Sequence, residues 1–554
     1  MLRSNFKPGT TSWAVRRTQW KFLGLSEEDF ERPKIAVINT SSTLSSCYIH
    51  LDEISKKVQD EIRKAGGVPF EIRTTAPSDF ITNAGREGRY ILPSRDLIVN
   101  DIEVMVEGAM LDGMICLSSC DKTAPAHMMA AGRLNIPSII VPCGYNQGGM
   151  CGRSQVDIDD VFESVGKISK GDMSLNELTA MTNVGITTAG VCAGLGTANT
   201  MHILAEALGM TLPGIAPIAA NSQKLYKYLE YSAKRIVELV KEELLPRDIL
   251  TKEAFENAVQ VALAIGGSVN SLRHLSAVAA ESELDVDIVK LYEMAAKEAS
   301  LLVNVRPNGP DRIEDLEHAG GTLGVMKQLS NKINLNTLTV SGNTVLENLN
   351  LLKEIDEGII RNSENPWRSS AGLVILRGNL APDGSISKAS SAPVDKQVFQ
   401  GIAKVFDSGS KAIDSLENGN IRPGDVVVIR GAGPKGGPGT LLTTSHFIAS
   451  LTGAGMNEDV AVITDGQNSG LNRGILVSQI MPEAAEGGPL AVVENGDSIL
   501  IDLVGKKLDL LIEENILQQR LKDWYPEEKS IPRGWLSIYK KVVQSGKKGS
   551  ILLE

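Results

Sequence analysis

The sequence predicts an α/β protein in two parts. An N-terminal parallel-sheet α/β/α domain with a helical extension covers residues 1–362, and a β-rich, swivelling-barrel-like domain covers 371–554. Three observations carry this. Strand-length apolar runs alternate with helix-period segments over the first 145 or so residues, the signature of β-α-β units and a parallel sheet. Beyond about Asn362 the chain turns to short β-branched runs broken by Gly, Pro and Asp. Finally, 554 residues with 42% hydrophobic and 22% charged content are ordinary for a globular chain of two or three domains.

In order, Lys34–Asn39 reads as a strand whose polar turn delivers Cys47, with a helix from about Tyr48 to Ala65 stopped by Gly66-Gly67. Val68–Ile72 is the next strand, and Asp79 lies in the loop after it. A helix over Asp96–Ala109 leads to the strand Met114–Leu117, a helical run through Leu134, and a strand at Ile136–Pro142. Cys143 and Cys151 follow in a Gly-rich loop. Segment 174–212 is helical at both ends around a small-residue loop, Thr187 to Asn199, that holds Cys192 and lets backbone approach a ligand closely. From about Asn221 to Leu302 the pattern is helical, with a break at Gly266-Gly267. Asn362–Ser370 is the expected linker. After it, Leu373–Leu376, Val426–Arg430, Val460–Ile463, Leu490–Val493 and Ile499–Leu503 read as strands.

Charge excludes several functions. Lys+Arg 56 against Asp+Glu 67 gives −11, which disfavours nucleic-acid or anionic-membrane partners. No run reaches the roughly 18 apolar residues of a membrane span, and Met1–Trp20 lacks a signal-peptide core, so a cytoplasmic enzyme is expected. Six cysteines in so long a chain, none in a Cys-x-x-Cys pair, are no disulfide framework. Cys116 sits inside an apolar strand as a core residue, and Cys143 and Cys151 are read as non-ligands. Lys241–Glu243 and Lys547-Lys548 are solvated surface, and Met128-Met129 is helix core.

The chemistry gathers around Ser118-Ser-Cys120-Asp121-Lys122, at the carboxyl end of a predicted buried strand. Open α/β sheets bind ligands there. A thiol, a carboxylate and an amine in succession offer a soft metal ligand, a hard one and a titratable base. Cys47, Cys120 and Cys192 each lie in a polar or Gly-rich loop. Three thiolates suit an iron–sulfur cluster with one open iron, or a zinc, though only the fold can bring such distant residues together.

The motifs as they stand are Leu92-Pro-Ser-Arg-Asp96, Cys120-Asp-Lys-Thr, Arg133-Leu-Asn-Ile-Pro-Ser138, Thr197-Ala-Asn-Thr200, Glu206-Ala-Leu-Gly-Met210, Gly266-Gly-Ser-Val-Asn270, His318-Ala-Gly-Gly321 and Gly378-Asn-Leu-Ala-Pro382. The C-terminal half adds Gly433-Pro-Lys-Gly-Gly-Pro-Gly439, Thr464-Asp-Gly466 and Pro482-Glu-Ala-Ala-Glu-Gly-Gly488. In this text and order the chain resembles the dihydroxy-acid and sugar-acid dehydratase family, and within it the [2Fe–2S] dihydroxy-acid branch. The resemblance implies a hydro-lyase that converts a 2,3-dihydroxy carboxylate to a 2-oxo acid. It implies a [2Fe–2S] cluster on Cys47, Cys120 and Cys192, and Mg²⁺ on Asp79, Asp121 and a carbamylated Lys122. It places Ser469 as the catalytic base and implies a polyhydroxy-acid substrate and a homodimer, or a tetramer built from one.

Four departures from the family pattern stand out. Leu442 occupies the position of a Mg²⁺-binding Glu, and His446, a helical turn on, is a poor substitute for a hard cation. Gln467-Asn468 replaces Arg-Phe before the serine, Phe80–Asn83 differs after Asp79, and Pro142–Gln147 replaces a Gly-Gly-Pro-Met text. Gln467, Asn468 and Asn83 are therefore candidates for contacting a polar substrate. Two rivals remain. Leu442 could mark a catalytically impaired or regulatory paralogue. Gly431-Ala-Gly433-Pro-Lys-Gly436 literally satisfies the dinucleotide fingerprint of an NAD(P)-binding oxidoreductase. Two prolines in that loop, and its place in the β-rich half, argue against the latter.

Overall fold

The computed structural model describes residues 2–85, 88–437, 442–526, 531 and 533–552; of Leu442 and Thr443 it describes the backbone. Four parallel strands form the N-terminal sheet: β1 Lys34–Asn39, β2 Val68–Arg73, β3 Gly113–Ser118 and β4 Ser138–Pro142, in the order β2-β1-β3-β4. β1 and β3 are buried along their whole length, as a sheet covered on both faces requires. The helix Leu51–Lys64 packs on this sheet with Leu51, Ile54, Val58 and Ile62, spaced for one face of a helix, and its acidic first turn and basic last turn suit the helix dipole. All four carboxyl ends open towards one side, so the loops carrying Cys47, Asp79, Cys120 and Cys143 converge there.

A small hairpin, β5 Gly149–Cys151 and β6 Ser154–Val156, leads to the helix Ile158–Lys170, which starts on an Asp157/Asp160 capping box and ends at left-handed Gly171. Helices Thr197–Ala207, Gln223–Glu242, Lys252–Ile265 and Asn270–Glu281 form the body of the helical extension, and Gly266 (φ +56°) supplies the expected break.

The C-terminal part is a closed eight-stranded barrel. Its strands are β7 Val374–Gly378, β8 Ala381–Ser387, β9 Val398–Phe406, β10 Asp425–Ile429, β11 Ala461–Thr464, β12 Leu476–Met481, β13 Ser498–Asp502 and β14 Lys507–Leu510, in the order β10-β11-β12-β8-β7-β14-β13-β9. The main apolar core takes in Leu373, Ile375, Ile386, Met481 and Ile551, so barrel and sheet part share packing.

Several expectations need correction. Leu490–Val493 is no strand: Pro489 starts a 3₁₀ turn over Pro489–Val492, whose Leu490 and Val492 plug the barrel core. A four-residue apolar run is as good a plug as a strand. Strands β8, β9, β12 and β14 were not foreseen, because Gly384, Gly401 and interleaved polar residues dilute their patterns. The helix read as Asp96–Ala109 spans Ile91–Ile102 and continues as a π turn to Glu107.

Candidate active site

Cys47, Asp79, Cys120, Asp121, Lys122 and Cys192 meet at the carboxyl edge of the sheet. Ligand atoms of Asp79, Cys120 and Asp121 lie within 4.8 Å of one another. The Cys120 thiol donates to the Cys47 sulfur, which holds Cys47 below its ordinary pKa. The same contact, with burial, pushes Cys120 up. Burial, then the nearby Cys47 and Asp159, pushes Cys192 up as well. Lys122, fully buried, places its Nζ 3.0 Å from Asp79 and 3.9 Å from Asp121. Burial and the Asp121 charge push the Asp79 carboxyl up against the pull of Lys122, and Asp79 Oδ1 has no hydrogen-bond partner.

Local bonding explains how Cys192 arrives. Val191 pairs with Tyr145, just beyond β4, and the Gly190 N–H donates to Ser46 O at 3.0 Å. Asn199 donates to the carbonyls of Cys192 and Gly194 at 2.8 Å each, folding the loop over the first turn of its helix. These bonds give the Thr197-Ala-Asn199 motif a physical role that its letters alone do not reveal.

The barrel supplies the other wall. Ser469 lies in the loop after β11, with its N–H donating to Ser445 Oγ (2.7 Å) and Asn472 Oδ1 (3.1 Å). The N–H of Leu471 donates to Ser469 Oγ at 3.2 Å. Asn270 donates to the neighbouring Asn468 carbonyl at 3.0 Å, tying this loop to the helical part. A cavity of about 30 Å³ lies between, lined by Asp79, Phe80, Cys120, Cys192, Ser469 and Leu471 among others.

The remaining sequence candidates fall around this centre. Gln467 is fully buried with neither amide atom partnered, whereas Asn468 accepts from Ser478 Oγ at 2.8 Å. Asn83 is buried with Oδ1 unpartnered. None of these three lines the cavity. Leu442 opens the helix Leu442–Gly453, but its side chain lies outside the described residues. His446 sits edge-on to Phe162 (5.7 Å), which in turn packs against Phe80 (5.5 Å), so its ring joins an aromatic ladder. Cys116 and Cys143 are buried, and burial alone pushes both thiols up, as befits small core residues.

The dinucleotide fingerprint fails for a reason the sequence hides. A parallel β10–helix–β11 unit does surround it, contrary to expectation. Its backbone donors are already used, however. Gly431 and Ala432 N–H bind the Asp465 carboxylate, and Lys435 and Gly436 N–H bind Glu483, at 2.9–3.1 Å. A cradle filled by carboxylates has no room or charge for a pyrophosphate.

An α/β sheet part joined to a closed barrel, with thiols and carboxylates gathered at their junction, defines a two-part α/β protein with a candidate metal centre. Residues 32–348 match the N-terminal model, and residues 358–550 the C-terminal model, of the dihydroxy-acid/6-phosphogluconate dehydratases. The chain is 42% identical to a dihydroxy-acid dehydratase of Methanothrix thermoacetophila and 41% identical to one of Methanosarcina barkeri, with all of each chain covered. One from Aquifex aeolicus is 39% identical over 97% of each chain. The protein belongs to the dihydroxy-acid/6-phosphogluconate dehydratase family and is a hydro-lyase. The family works with an iron–sulfur cluster and Mg²⁺. Among the described residues, no helix is long and apolar enough to cross a membrane.

Proposed function

We propose that the protein dehydrates a 2,3-dihydroxy carboxylic acid to the 2-oxo acid, with Cys47, Cys120 and Cys192 holding a [2Fe–2S] cluster, and Asp79, Asp121 and carbamylated Lys122 holding Mg²⁺. The observation that carries this is the convergence of soft and hard donors on one cavity opposite Ser469. Buried thiols in mutual contact suit a cluster, and the unpartnered Asp79 Oδ1 suits a hard cation. Carbamylation would turn Lys122 from a cation into an anion beside two carboxylates, so it fits only together with a bound cation. When bound, the two metal groups supply Lewis acidity towards the carboxylate and the hydroxyls of the substrate.

The chain's own work falls to Ser469. Its Oγ, as the alkoxide, takes the C2 proton; the C3–O bond breaks and the hydroxide that leaves takes up that proton to depart as water, and the enol that remains tautomerises to the 2-oxo acid. The Leu471 N–H on Oγ favours the deprotonated serine, and Ser445 and Asn472 hold the backbone still. The relatives named dihydroxy-acid dehydratase support this substrate class, and a homodimer is part of the same reading.

Anaerobic purification with iron, sulfide and EPR measurement tests it. About two irons and two sulfides per chain, lost in Cys120→Ser, are expected, together with 2-oxo acid from a panel of dihydroxy and sugar acids. A colourless protein that cannot be reconstituted refutes it. Leu442 keeps the impaired-paralogue reading in view. A large gain on Leu442→Glu would favour that reading, and no gain or a loss would favour a rebuilt site.

A further inference from the structure

Lys388, just past the end of β8, is only 3% exposed, and its Nζ donates to the Gly470 carbonyl at 2.8 Å. That carbonyl belongs to the same peptide group as the Leu471 N–H, which donates to Ser469 Oγ at 3.2 Å. The peptide has little freedom to turn. A Cβ at Gly470 would fall 2.8 Å from Ser268 Cβ and 3.1 Å from Gly196 Cα, so the loop is closely packed on the side where that Cβ would point. An ammonium on the oxygen of a peptide draws electron density from its nitrogen, and hydrogen bonds in a chain reinforce one another.

We propose that Lys388 is a positioning residue for Ser469, acting through the 470–471 peptide: it fixes that peptide's orientation and sharpens its N–H as a donor to the serine oxygen. The inference rests on the reading of Ser469 as the base. Nothing in the sequence motifs marks this lysine, since it stands in an unremarkable Ser-Ile-Ser-Lys-Ala run. The charge it brings is fully present only on the acid side of neutrality. Burial pushes the ammonium down to about 7, with Arg473 adding to the shift and Asp159 opposing it. Arg473 is itself paired with Glu163 at 2.9 Å. Asp159 lies across the junction, where its Oδ2 would be 2.4 Å from a Cβ at Gly194.

Two variants of similar length separate the parts of this role. Lys388→Gln keeps a donor and removes the charge; Lys388→Met removes both. Each is measured as the cluster-loaded protein for kcat, KM and the pH profile of kcat/KM, and for hydrogen exchange of the 466–474 peptide. For Lys388→Met we expect kcat about tenfold lower with KM within about twofold, and the acid limb about half a unit higher. Exchange should quicken in the 466–474 peptide alone, and Lys388→Gln should fall between wild type and Met. An unmoved limb in both variants overturns the proposal, whether or not exchange changes, because lost packing alone does not move the limb. Unchanged exchange in the Met variant overturns the positioning claim directly. Should Lys388→Met fail to fold, Lys388→Gln decides alone. If the wild type turns over no dihydroxy acid, the reading of Ser469 fails instead, and the exchange arm still reports whether Lys388 holds this peptide.

Discussion

Gly190 shows how much a single position is asked to do. Its φ is +127°, and a Cβ there would sit 2.5 Å from the Tyr145 carbonyl carbon. Its N–H reaches Ser46 O and its carbonyl accepts from Asn146, so it ties the Cys47, Cys143 and Cys192 loops together. Gly190→Ala should lose about 1–3 kcal/mol of stability and lower the iron content, read by urea melts and iron assay. At this scale the sequence was only partly legible. Spacing placed Cys47, Cys120 and Cys192 in loops, but residues so far apart converge only through the fold; the family resemblance, not the spacing, joined them. Asn199 and Lys388 left no mark of their own, because a hydrogen bond to a distant carbonyl has no sequence pattern.

Among elements, the pair formed by the helices Ile158–Lys170 and Leu442–Gly453 matters most for the barrel wall. They cross at Gly166 and Gly453, where a Cβ on Gly166 would lie 2.4 Å from the Ser450 carbonyl oxygen. The second helix carries Ser445, which holds the Ser469 backbone. Gly166→Ala should therefore cost about 1–3 kcal/mol and lower kcat more than it raises KM, as steady-state kinetics can check. Long elements were legible where periodicity ran uninterrupted, as in Lys252–Ile265 and Asn270–Glu281. The barrel was legible as a class and not strand by strand. β13 and β14 bury every second side chain, β10, β11 and β12 are buried at every position, and Gly384 and Gly401 dilute β8 and β9, so no single alternation marks the strands.

Across the whole molecule, buried charge links the two parts. The Arg95 guanidinium donates to the carbonyls of Gly549 (3.0 Å) and Ser550 (2.8 Å) and to Asp96, so the chain from beyond the barrel is anchored in the helical part. Arg95→Ala should cost about 3–5 kcal/mol and expose residues 546–552 to proteolysis, as limited digestion would show. Acid should weaken the fold. Burial pushes His127 down to about 3 and His202 to about 4, below the roughly 6.5 of an unfolded chain. Between those values the unfolded chain binds protons the native one refuses, so this contribution is whole above pH 6.5 and falls as pH drops towards 4. Urea midpoints at pH 7 and 5 should differ by less in His202→Gln.

The cavity's two walls are also made at different times. Every proposed metal ligand is in place by residue 192, whereas the Ser469–Leu471 wall belongs to the loop between β11 and β12 of the barrel. At roughly 5–20 residues per second, tens of seconds of synthesis separate them. For that interval a nascent chain presents its thiols and carboxylates to solvent without a lid. Loading of the proposed metals in that interval needs no opening of the finished protein.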